Sequence, residues 1–153
     1  MNKFVIMTKI VLNTKVFEGL KKRGIIKEQS EISNKFELII SKLLHSRTQT
    51  HIFHLQSDNF SQHKALDEYY DDIVDLIDDL VESYQGEFGI IKNYQNYDLE
   101  VYKNNDQVVK FLNGLSEDVN DLRETLGDSF LIGKLDEVVE LINSTLYKLK
   151  NLK

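Results

Sequence analysis

The sequence predicts an all-α fold, one domain built from four main helices. Three observations predict it. The 153 residues contain no proline and only seven glycines, so little interrupts helical hydrogen bonding. Apolar residues recur at spacings of three, four and seven over long stretches. A hydrophobic content of 41% supplies one core and is too little for two domains. The absence of cysteine removes disulfides and thiolate metal sites and agrees with a reducing, cytoplasmic setting. No run of about 18 uninterrupted apolar residues exists, and the opening stretch is too short and too soon charged for a signal peptide. A soluble protein with no membrane partner is expected.

The net charge of −6 is unevenly spread. Residues 1–27 carry Lys3, Lys9, Lys15, Lys21, Lys22, Arg23 and Lys27 against Glu18 alone, a net of +6 that leaves −12 on the remainder. The chain therefore divides into a basic N-terminal arm, 1–25, and a helical bundle, 26–153. Such an arm suits contact with nucleic acid through Lys21, Lys22 and Arg23. The plain alternative is a tail whose charge keeps it solvated.

Each element has its own signal. Ile32, Phe36, Ile39, Leu43, Thr50 and Phe53 mark a first helix from about Ile26 to about Gln56. Ser57, Asp58 and Asn59 break it, and Asn59 or Ser61 caps the next helix. The second helix runs from His63 to about Tyr84. Leu66, Tyr69, Tyr70, Ile73, Leu76, Ile77, Leu80 and Val81 form its apolar face, opposite Glu68, Asp71, Asp72, Asp75 and Asp79. Gly86 and Gly89 are its expected stops. From Glu87 to Asp106 no helical period is clear, which reads as a long crossover, with a short helix inside it as the alternative. A third helix follows Asn104, Asn105 and Asp106, carries Val108, Phe111, Leu112, Leu115, Val119, Leu122 and Leu126, and is expected to stop at Gly127. The fourth starts near Ser129, with Leu131, Leu135, Val138, Ile142, Leu146 and Leu149 as its stripe and lysines in its last turn, where cations suit the helix dipole.

Four histidines are present: His45, His51, His54 and His63. The last three gather around the break between the first two helices. On a helical wheel with His63 at zero, Asp67 falls at about 40°, Asp78 at about 60° and Glu82 at about 100°, so the four share one seam. His63/Asp67 and Asp78/Glu82 each have the i,i+4 spacing that lets two side chains grip one ion. Asp67 and Asp78 lie roughly 16 Å apart along the helix axis, too far for one metal within one chain. Two copies packed antiparallel about a two-fold axis bring one chain's His63 and Asp67 opposite the other's Asp78 and Glu82, with His51 completing the cluster. Imidazole with carboxylate suits iron, manganese or zinc. By position His54 is a core-facing, hydrogen-bonded residue and His45 reaches solvent. Asp71, Asp75 and Asp79 read as either an ion-attracting surface or an exposed face, and Tyr69, Tyr70 and Tyr84 as packing before redox groups. No phosphate loop, nucleophile elbow or HExxH signature occurs.

The stretch from His51 to Glu82 resembles the Dps-like mini-ferritins, members of the ferritin-like superfamily. Their motif is a His, a second His twelve residues later, an acid four beyond, an Asp eleven beyond that and a Glu after four more; His51, His63, Asp67, Asp78 and Glu82 match every interval. The resemblance implies a ferritin-like four-helix bundle with its long crossover between helices 2 and 3. It implies an inter-subunit ferroxidase centre at those five residues, holding one or two irons. It further implies a two-fold interface within a twelve-subunit shell, storage of oxidised iron, and DNA contact through basic tails in some members. The chain departs from the family at Ile52, where a Trp is usual, at Gln56 to Asn59, where a glycine is usual, and at Ser83, where an Arg is usual. The glutamate and Glu-x-x-His sets of larger ferritins are missing. Two other readings stand beside this one: a non-catalytic structural or accessory protein, for example viral, on the same bundle, and a nucleic-acid-binding oligomer without ferroxidase activity.

Overall fold

The structure is a computed structural model that describes residues 18–21 and 24–152, with the side chains of 25–29 left aside. Four long helices follow in order: α1 (Ile25–Gln56), α2 (Phe60–Phe88), α3 (Asn105–Thr125) and α4 (Ser129–Asn151). Among the described residues there is no strand, and no helix is long and apolar enough to cross a membrane. Of the predicted arm, residues 1–17, Lys22 and Arg23 lie outside the described residues; Lys21 is exposed and helical.

The helix ends follow from their capping residues. Gly24, at φ 75°, provides the left-handed turn that precedes α1. The Asn59 side chain accepts the Gln62 N–H at 2.9 Å and starts α2, and Asn104 does the same for Gln107 at the start of α3. The helix continues through Gly86, one turn beyond the expected end, because Phe88 packs on Tyr84 with ring centroids 4.9 Å apart; Gly89, at φ 95°, stops it. α3 ends at Thr125, just before its expected stop at Gly127. Leu126 turns extended there and packs against the core, and the Asp128 carbonyl accepts from Leu131 and Ile132 to begin α4.

Ion pairs report how the helices lie. Lys42 meets Asp118 and the Lys35 ammonium reaches the Asp121 carbonyl, so α1 and α3 are antiparallel. Lys148 meets Glu68 and Lys134 meets Asp79, so α2 and α4 are antiparallel as well. With α1 packed on α2 and α3 on α4, the order around the bundle is α1, α2, α4, α3, each helix antiparallel to both neighbours. Inside lie Phe36, Leu43 and Phe53 of α1, Leu66, Tyr69 and Leu80 of α2, Leu112 and Leu122 of α3, and Leu135 and Ile142 of α4, all fully buried. Each such aliphatic or aromatic side chain contributes about 1.5–3 kcal/mol by leaving water. The polar intrusion at Ser46 and Tyr69 is satisfied: the Ser46 hydroxyl donates to the Leu43 carbonyl at 2.7 Å, so Tyr69 OH donates to Ser46 Oγ at 2.9 Å.

Residues 89–104 form the crossover, and they contain no helix. They run from the bottom of α2 to the top of α3 alongside α1, held by side chains that stand in for a backbone partner. Ser41 Oγ accepts the Gln95 N–H at 2.9 Å, and Gln56 Oε1 accepts that of Tyr102 at 2.8 Å. The fully buried Gln49 amide bonds both the N–H and the carbonyl of Glu100, at 2.7 and 2.8 Å. These bonds satisfy backbone groups that helix formation would otherwise satisfy. The crossover also covers His45, whose ring lies 5.4 Å from Tyr97 and 6.0 Å from Phe111. That residue is therefore half-buried, not solvent-reaching as its wheel position suggested, and burial lowers its pKa against a smaller opposing effect of Glu100.

Candidate metal centre at the turn between the first two helices

The last turn of α1 and the first turn of α2 are joined by only three residues, 57–59, which brings His54 and His63 face to face. Their rings stack at 3.6 Å with an interplanar angle of 24°. His54 Nδ1 lies 2.9 Å from the His63 carbonyl oxygen, and His63 Nδ1 lies 3.0 Å from the His54 carbonyl oxygen. A carbonyl only accepts, so both Nδ1 atoms carry hydrogens, and the neutral tautomer this selects has its lone pair on Nε2. This is the arrangement that fixes the tautomer of a ligating histidine. His54 is buried and hydrogen-bonded, while His63 and His51 are half-buried.

Tyr70 joins the two helices at the same place. Its ring stacks on His51 at 4.2 Å and 20°, and its hydroxyl donates to Asp67 Oδ1 at 2.8 Å. Asp67 Oδ2 accepts from the Lys64 ammonium at 2.7 Å. The bonds from Lys64 and then Tyr70 hold the Asp67 carboxyl below its ordinary range, and the same bonds raise Lys64 and Tyr70. Asp67 is thus ionised and fixed in orientation by neighbours one helical turn away on either side.

His51, His63 and Asp67 sit around this corner linked only through His54 and Tyr70, while Asp78 and Glu82 lie further down α2, both exposed. Among the described residues, no three His, Asp or Glu side chains of one chain converge as a group able to hold a metal ion. The face that carries the five residues also holds a few exposed apolar side chains. Along α2, Phe60, His63, Asp67, Val74 and Asp78 follow one another at spacings of three, four, seven and four, with Phe60 78% and Val74 36% exposed. On α1 the neighbours of His51 along the same stripe are Leu44 and Leu55, 44% and 68% exposed.

Sequence reasoning missed Lys64 and placed Tyr70 as packing before a redox group, not as a partner of Asp67. The signal for both was present, since Lys64, Asp67 and Tyr70 are spaced three apart on one helix face. The wheel also gave no hint of the reciprocal His54 and His63 bonds, which depend on the length of the turn.

A scan against family models matches residues 54–149 to a family of unknown function, DUF5856. No curated protein and no solved structure matches the chain. The match runs from the last turn of α1 to the last turn of α4 and takes in His63, Asp67, Asp78 and Glu82, with His51 just outside it. The chain belongs to the DUF5856 family.

Proposed function

We propose that this chain is a ferritin-like protein of the Dps-like mini-ferritin kind, which takes Fe(II) as its substrate, oxidises it at sites shared between two copies and stores the product. Iron meets His51, His63 and Asp67 of one copy and Asp78 and Glu82 of a second. Two copies packed along α2 about a two-fold axis make two such sites, and further copies close a shell of twelve.

One observation carries the reading. Two preset ligands, a histidine with its tautomer fixed and a carboxylate held ionised, lie on the same helix as the exposed Asp78 and Glu82. Support comes too from the order of the helices, antiparallel neighbours with one long crossover between α2 and α3, a connection that ferritin-like bundles use.

Chemically, two Fe(II) ions each give up one electron. Hydrogen peroxide accepts both with two protons, its O–O bond breaks, and two waters leave. The protein's part is to hold the ions by carboxylate and imidazole, which favour the higher charge of the product. Fe(II) added without air to purified protein, followed by peroxide, tests this by absorbance of the oxidised iron beside a sizing column. Fast oxidation with iron eluting in a large particle supports it. No oxidation and no bound iron overturns it in favour of a structural role for the bundle.

A further inference from the structure

Resting on that reading, we infer that Lys64 occupies the Asp67 oxygen that Tyr70 leaves free, as a resident cation which an incoming ion must displace, while Tyr70 stays and aims the carboxylate. The two partners of Asp67 thus have opposite effects on metal binding. Tyr70 is tied down twice, by its stack on His51 and by its bond to Oδ1, and its hydroxyl leaves the remaining lone pairs of the carboxylate available. Removing such an orienting bond weakens a metal site by about 10- to 100-fold.

Lys64 differs in every respect. Its ammonium takes Oδ2 at 2.7 Å, its side chain is 50% exposed against 32% for Asp67, and among the described residues Asp67 is its one ion-pair partner. It carries a charge of the same sign as the metal and sits on the oxygen left over by Tyr70. An exposed lysine gives up such a bond at small cost, because exposed ion pairs are weak. Lys64 therefore orients and neutralises Asp67 while the site is without metal, and it sets the metal concentration at which the site fills. It is a positioning and competing residue, not a ligand.

The test measures binding of Co(II), an air-stable probe, to the full chain by calorimetry, together with circular dichroism. Lys64→Gln is expected to tighten binding about threefold, the scale of an exposed ion pair; Lys64→Arg, which keeps the charge, is expected to match the parent protein; Tyr70→Phe is expected to weaken binding about tenfold. Helicity should be unchanged in all three. Tight binding by the parent protein with no gain in Lys64→Gln overturns this inference and leaves the proposed function standing. No binding by either protein overturns both. Binding only after Lys64→Gln supports the inference in its strongest form, with Lys64 blocking the site outright.

Discussion

The two halves of the α2 seam are built differently. Its upper half, His63 and Asp67 with His51 beside them, is half-buried and hydrogen-bonded on several sides: two stacked rings, two bonds to carbonyl oxygens, and a tyrosine bridging the helices. Its lower half, Asp78 and Glu82, faces solvent. The difference teaches that the upper half contributes to the fold whatever else it does, whereas the lower half contributes little to it; on the proposed function the upper half prepares ligands that a second copy's lower half completes.

The largest effect that separates the halves is on iron. Asp78→Asn combined with Glu82→Gln is expected to lower Fe(II) oxidation by at least about 100-fold, as loss of two ligands should. Exposed substitutions change stability by only about 0.5 kcal/mol, so the melting temperature should stay nearly constant. A melt and an oxidation assay on the same preparation check both. In the upper half the balance reverses. His54→Ala removes a buried ring, its stack and its bond to the His63 carbonyl, and should destabilise by about 2–4 kcal/mol in urea unfolding. Equal stability losses in both halves would break the comparison.

A smaller effect tests the turn that holds the upper half together. Asn59→Ala removes the cap that starts α2 and should cost about 1 kcal/mol, with faster amide exchange at Gln62 and His63 than at Asp78. The smallest effect lies away from the seam, at His45. Burial lowers its pKa from the ordinary 6.5, so the folded state binds its proton less readily than the unfolded chain. Its contribution is present above 6.5 and is lost as pH falls from 6.5 through the lower folded value. His45→Gln should therefore flatten the decline of the urea midpoint with acidification across that interval. A slope equal to the parent's would show that the crossover does not desolvate His45.

Much of the fold was legible because long helices announce themselves. The stripes Phe36–Ile39–Leu43 and Leu131–Leu135–Val138 predicted the buried faces, and Asn59 and Asn104 predicted two helix starts. Glycine misled at Gly86, because packing of Phe88 outweighed a local preference of about 1 kcal/mol, whereas α3 ends at Thr125, just before the expected Gly127. The crossover's path was not legible. It is fixed by Ser41, Gln49 and Gln56 bonding to backbone some 46 to 54 residues away, and polar residues on a helix do not disclose distant partners. In the candidate site, intervals along one helix were readable, so His63, Asp67, Asp78 and Glu82 fell on one seam. What joins α1 to α2, the stack of His51 on Tyr70 and the paired histidine bonds, required the geometry of the turn.

On the proposed function the two halves of one seam meet across two copies, and complementation tests this most directly. Two inactive proteins are co-expressed, one carrying His63→Ala and Asp67→Ala, the other Asp78→Asn and Glu82→Gln. A shared site predicts recovery of about one quarter of the parent's Fe(II) oxidation, because half of randomly paired dimers are mixed and each mixed dimer has one intact site of two. No recovery, with mixed dimers present by native mass spectrometry, would contradict the account.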